Sequence, residues 1–123
     1  MNRKKILLSI DWYLPGRNSG GPVSSYSNLF RLLKDDFEFY VVTRNKDYSS
    51  DEVYKGIITD SWIPINENTW VKYLCKKKLN IKNLNKIYYE FNFDSILING
   101  VYSWYFSILP LLILKNKGIK KII

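Results

Sequence analysis

The apolar positions of this chain alternate between short runs and helical stripes. Lys5 to Ile10 is a nearly unbroken apolar run that gives way to a polar, Gly- and Pro-rich stretch from Asp11 to Gly21. A run of that length without polar alternation predicts a strand buried on both faces, followed by a loop. Val23, Tyr26, Phe30 and Leu33 then recur at spacings of three and four, with Leu29 beside them, which predicts a helix with one apolar face. Pro22 suits its first turn, where a missing N–H costs nothing. Phe37 to Thr43 is β-branched and aromatic, so a second strand is expected after the Asp35-Asp36 turn, completing a β-α-β unit.

The middle of the chain is harder to divide. Residues 44–54 are polar and read as a surface loop or short helix, and strands are expected over Gly56 to Ile65 and Thr69 to Cys75. Helical spacing resumes at Ile81 with Leu84, Ile87, Tyr88 and Phe91, and a strand follows over residues 94–99, closed by Asn99-Gly100. Trp104 to Lys117 reads as a buried helix, kinked or restarted at Pro110, with Gly118 just past its end. Ile119 to Ile123 begins another strand. The alternation predicts an open parallel α/β sheet, Rossmann-like, with helices on both faces and right-handed crossovers. Because the sequence stops within a strand, the expectation is a partial N-terminal domain over residues 1–123.

Composition narrows the picture in three ways. With 46% apolar residues, 16% of the chain being aromatic, one domain with its own core is expected from 123 residues. Cys75 is the single cysteine and there is no histidine, so neither a disulfide nor a metal site is expected, and a cytoplasmic setting fits best. The opening Asn2-Arg3-Lys4-Lys5 and its apolar run imitate a signal peptide, but the run stops at Asp11 without a small-residue cleavage site. Trp104 to Leu114 falls well short of the ~20 residues that span a bilayer.

Net charge is +8, and the second half carries most of it: residues 61–123 hold 10 basic and 3 acidic groups. No nucleic-acid motif accompanies this bias, and nucleic acid is not an expected partner. Lys76-Lys77-Lys78, near Trp70 and Tyr73 in the sequence, reads either as a solvated edge or as a contact with anionic lipid headgroups.

In an open parallel sheet the ligand lies beyond the carboxyl ends of the strands, where successive crossovers go to opposite sides. Two loops qualify: Asp11 to Gly21 and Asn99 to Ser103. Gly20 and Gly21 precede a helix whose free N–H groups would favour a diphosphate, or they form an ordinary turn. A nicotinamide fingerprint is excluded, since Gly16, Gly20 and Gly21 have the wrong spacing and the second strand ends Thr43-Arg44 without a ribose-binding acid. A P-loop is excluded because Pro22 and Val23 stand where Lys-Ser/Thr would be needed. Arg17 offers planar paired donors for a phosphate or acidic sugar or is simply solvated in its loop, Asn99 offers an amide for an acceptor or stabilises the turn with Gly100, and Tyr102 offers an aromatic face for a sugar ring or packs at the core rim. Trp12, Tyr13 and Trp104 are weaker aromatic candidates, and Asp11 either orients a hydroxyl or bonds its own loop.

Ile6-Leu7-Leu8, Tyr13-x-Pro15, Gly20-Gly21, the helix with Leu29 and Leu33, Val41-Val42-Thr43 and Asn99 occur together in this order. In that combination the chain resembles the N-terminal domain of family-4-type glycosyltransferases with the GT-B fold, of the kind that assemble bacterial surface polysaccharides. The resemblance implies a hexosyltransferase-like enzyme in which this domain holds a glycan or lipid-linked acceptor. A C-terminal domain, absent from this sequence, would bind the nucleotide-sugar donor, which is a substrate; no cofactor is implied. Gly20 and Gly21 match the glycine loop that faces the donor phosphates. The catalytic residues are expected beyond residue 123, so the chain alone is expected to be inactive. The competing reading is a non-catalytic binding module, or one subunit of a split two-chain transferase. Work on lipid carriers would place the protein at the inner face of the membrane.

Overall fold

Leu7 and Leu8 are neighbours in the chain, yet they pack into two separate apolar clusters on opposite faces of one sheet. In the computed structural model, which describes residues 3–16, 18, 21–100, 103–115 and 119–122, the first strand β1 spans Lys4–Ser9. The helix α1 (Gly21–Leu32) and strand β2 (Phe37–Arg44) follow. A hairpin of β3 (Trp62–Asn66) and β4 (Thr69–Leu74) comes next, then α2 (Ile81–Tyr88), β5 (Ser95–Ile98), α3 (Leu109–Ile113) and β6 (Lys120–Ile122). The six strands form one sheet in the order β3-β4-β2-β1-β5-β6, parallel except for β3.

Period-two alternation sorts the side chains. Leu8, Phe39, Val41, Val71 and Tyr73 face α1 and meet its Val23 and Phe30, with Phe30 stacked on Phe39 at 3.8 Å between ring centroids. Leu7, Tyr40, Val42, Leu74, Ile96 and Ile98 face the other way, against Leu84, Ile87 and Tyr88 of α2 and Phe106 and Leu109 beyond β5. Both faces are therefore covered, which is why β1 reads as continuous rather than alternating apolar sequence. Helix α1 carries the chain from β1 sideways to β2 on one face. Helix α2 carries it from β4 back past β2 and β1 to β5 on the other, so the two crossovers move in opposite directions on opposite faces and share one hand.

The middle of the chain differs from the expected pattern. No helix joins β2 to the parallel strand β4. Instead β3 runs back antiparallel along the outer edge and turns at Glu67-Asn68 into β4, which then lies parallel to β2. The strand expected from Gly56 starts only at Trp62, because Gly56 and Asp60 both hold positive φ and bend the segment before it. The expected helix from Trp104 is also divided. Residues Trp104–Ile108 form a π turn, and regular helix begins at Leu109 with Pro110 in its first turn. Only one side of it is buried: Phe106, Leu109 and Leu114 lie in the core, whereas Trp104 and Leu112 are more than half exposed. Leu29, placed beside the apolar stripe of α1, is likewise exposed. Gly118 lies outside the described residues.

Thr43 is fully buried on the α1 face of β2, and its hydroxyl has no hydrogen-bond partner among the described residues. An unpaired buried hydroxyl forfeits its hydration without return. Thr43→Val should therefore stabilise the protein by about 1 kcal/mol, measured as a higher urea midpoint; a lower midpoint would mean that the hydroxyl is satisfied.

Candidate functional site

The strand order reverses between β1 and β5. From β1 the chain departs toward β2, while β5 and β6 are added on its other side, so the crevice favoured for ligands lies at the carboxyl ends of these two neighbours. Their pairing is direct, with Ser9 opposite Ile98. β1 and β5 are thus direct neighbours, and the loops that follow both strands leave from the same end of the sheet.

Side-chain chemistry ties these loops together. Asp11 Oδ1, just past β1, accepts from Arg44 Nη2 at 2.9 Å and Nε at 3.2 Å, and also from the Ser103 hydroxyl at 2.9 Å. Three elements therefore converge on one carboxylate oxygen: the end of β1, the end of β2, and the loop after β5. Among the described residues, the Asp11 carboxylate bonds the two distant elements and not its own loop. The Arg44 guanidinium is further enclosed by the rings of Trp12, Tyr105 and Phe106, with centroid distances of 5.8, 5.9 and 5.2 Å. Ser103 also accepts from the Phe106 N–H and so caps the turn behind it.

Asn99 is held in place through its backbone. Its N–H donates to the Ser9 carbonyl at 3.2 Å and its carbonyl accepts from the Ser107 hydroxyl at 3.5 Å. Its side-chain amide has no hydrogen bond among the described residues, and Gly100 follows with a φ of +81° that turns the chain away from β5. Gly21 is exposed at the first position of α1, where an added Cβ would meet nothing within 4 Å. Of the other predicted site residues, Arg17, Gly20 and Tyr102 lie outside the described residues. Tyr13 does not present a ring to solvent: it is buried in the α1-side core.

The first loop is held more firmly than its sequence suggests. The Tyr73 hydroxyl from β4 donates to the Leu14 carbonyl, and the Tyr54 hydroxyl donates to the Tyr13 carbonyl at 3.3 Å. The Gly16 N–H closes a turn onto the same Tyr13 carbonyl at 3.0 Å. Asp47 then receives the Asn18 N–H on both carboxylate oxygens, at 3.3 Å each. Gly16 is the glycine that packing demands here, since an added Cβ would overlap the Tyr54 hydroxyl and stand 2.7 Å from Asp47 Cγ. Gly16, Asp47 and Tyr54 were not evident from the sequence because the bonds that tie Asp47 and Tyr54 to this loop span 29 and 41 residues.

Burial of these tyrosines disfavours the phenolate. Tyr73 is pushed up from 10.0 to about 12 by burial, and Tyr13 and Tyr54 are raised further by the same cause and by neighbouring negative charge. A raised folded-state value means that the contribution to stability is complete below the unfolded value of 10.0 and is lost as pH climbs through about 12. In an alkaline titration these hydroxyls should remain un-ionised as pH passes 10.0, and then ionise together with loss of the fold. Phenolate absorbance rising smoothly at ordinary pH, with circular dichroism unchanged, would contradict this.

Among the described residues no group of His, Cys, Asp and Glu side chains is arranged to hold a metal ion, and no helix is long and apolar enough to cross a membrane. Comparison of the chain with family models, with curated proteins and with solved structures finds no match in any of the three.

Proposed function

We propose that this chain is the acceptor-side, Rossmann-like half of a GT-B glycosyltransferase acting in surface-polysaccharide assembly. The observation that carries the reading is the convergence on Asp11 Oδ1 of Arg44 and Ser103, which joins the loops after β1 and β5 at the point where the strand order reverses. Along the parallel strands β4-β2-β1-β5-β6 the order reverses beside β1, and in open α/β sheets ligands bind outside the carboxyl ends of the strands at such a reversal, which supports the reading. In this reading the exposed start of α1 at Gly21 receives donor phosphates through free backbone N–H groups, with Gly20 beside it. Asn99, Arg17 and Tyr102 serve the acceptor, and a second α/β domain supplies the nucleotide sugar and completes the catalytic machinery.

A lipid-linked acceptor would bring the protein to a membrane surface, and one face suits that contact. Ile81 and Trp104 are 62% and 51% exposed and border the same apolar depression, together with Lys82. Exposed Lys76 and Lys77 precede α2, and the sequence has no acidic residue from Lys76 to Tyr89. Exposed tryptophan and aliphatic groups flanked by lysines match the chemistry of an anionic bilayer surface. Trp70 and Tyr73 take no part in it: Trp70 stacks on Tyr40, and Tyr73 is buried on the opposite face of the sheet.

Deleting the coding gene from the cell that carries it tests the reading. Loss or shortening of one surface polysaccharide, restored by the wild-type gene, is the expected result. An unchanged set of surface glycans would sink the proposal.

A further inference from the structure

The two carboxylate oxygens of Asp11 are in different situations. Oδ1 accepts three hydrogen bonds, two from Arg44 and one from the Ser103 hydroxyl. Oδ2 accepts none among the described residues, although the Asp11 side chain is only 17% exposed. Nor is Oδ2 closed off in the core, as the Thr43 hydroxyl is, so it remains reachable from solvent.

Three donors on Oδ1 have two consequences for Oδ2. They fix the carboxylate plane, because the Arg44 guanidinium is itself enclosed by the rings of Trp12, Tyr105 and Phe106, and Ser103 is held by the Phe106 N–H. Oδ2 is therefore aimed before any ligand arrives, and a preset acceptor loses little freedom on binding. The donors also neutralise the group, since the guanidinium stands 2.9 Å from Oδ1. A cation gains little from a carboxylate already paired with arginine and is repelled by the arginine, so the open oxygen selects a neutral O–H or N–H donor. Its place on the sheet points to the same kind of ligand. Asp11 begins the loop after β1 and Ser103 lies in the loop after β5, where the strand order reverses, and the partly exposed rings of Trp12 and Tyr105 stand beside them. A carboxylate oxygen next to aromatic faces suits a hydroxylated ring.

We infer that Asp11 Oδ2 orients the acceptor by taking a hydrogen bond from a hydroxyl of its sugar ring. This rests on the reading of the crevice as the acceptor site of a transferase, and it gives Asp11 a part in specificity. A ligand without a hydroxyl at that point leaves the oxygen dehydrated and unpaired, and is rejected for that reason.

Asp11→Asn tests the inference. The three donors demand an oxygen where Oδ1 stands, so the amide nitrogen must take the place of Oδ2 and turn an acceptor into a donor. All three internal bonds keep their acceptor, and the purified variant should retain the circular dichroism of wild type. Ser103→Ala is the comparison, since it cuts the tie between the two loops and leaves Oδ2 as it was. In cells deleted for the coding gene, each variant is scored by the surface polysaccharide it restores at equal protein level. Asp11→Asn should restore about tenfold less than wild type, the loss expected for a hydrogen bond to a charged acceptor, and Ser103→Ala should restore more than Asp11→Asn. Full restoration by Asp11→Asn, an equal or larger loss with Ser103→Ala, or an Asp11→Asn chain that does not fold would each overturn the role of Oδ2 and leave the wider reading standing. A deletion that changes no surface glycan would instead overturn that reading, and this inference with it.

Discussion

Gly16→Val should destabilise the protein by about 3 kcal/mol, as overpacking of a well-filled site does. Gly16 is buried, and its missing side chain makes room for two groups that have little freedom to leave. The Tyr54 hydroxyl is bound to the Tyr13 carbonyl, and the Asp47 carboxylate holds the N–H groups of Asn18 and Tyr48. Any side chain at position 16 must push one of them out and break its bonds. The closer contact is the Tyr54 hydroxyl, so Tyr54→Phe combined with Gly16→Ala should be less destabilised than the sum of the two single changes. Urea unfolding of the four proteins measures the coupling directly. A Gly16→Val midpoint equal to wild type would mean that the loop yields easily and that the close approach is not a constraint.

Valine at Gly21 should have the opposite signature. No atom lies within 4 Å of an added Cβ, the backbone there is helical, and the position is exposed, so the fold has no need of glycine. Thermal stability should stay within about 0.5 kcal/mol of wild type, as for ordinary surface changes. Under the proposed function, in a two-domain transferase containing this chain, a β-branched side chain would stand where the donor phosphates are proposed to approach the start of α1, and transfer should fall by about 10²-fold or more, as misplaced reactants do. Initial rates and melting temperature measured on the same preparation separate the two effects. Near-normal rates at unchanged melting temperature would reduce Gly20 and Gly21 to a turn, and the diphosphate role would have to be withdrawn.

The contrast between these glycines shows where sequence was informative. Elements whose pattern arises within themselves were legible: the Lys5 to Ile10 run, the Val23-Tyr26-Phe30 stripe, the Leu84-Ile87-Tyr88 stripe and the Ser95 to Ile98 strand all lie where the spacing puts them. The open, mostly parallel sheet also followed, because few arrangements of alternating strands and helices are open to such a chain. Contacts made at long range were not legible. Nothing near Gly16 in the sequence announces Tyr54 or Asp47, and nothing near Asp11 announces Arg44 and Ser103, which are 33 and 92 residues away. The π turn at Trp104–Ile108 was masked by apolar residues that fit a regular helix equally well.

The returning strand β3 also decides in which direction the sheet can be enlarged. Pro64 sits in its centre with no N–H to offer a further strand, the register slips between Pro64 and Asn66, and the last three residues of the strand are exposed. An edge with a missing donor and an irregular ladder is a poor template for another chain. Strand-by-strand growth on that side is blocked by chemistry already built into the hairpin. Any additional strand, from this protein or another, must join on the side of β6, so the sheet has one terminating edge and one extendable edge.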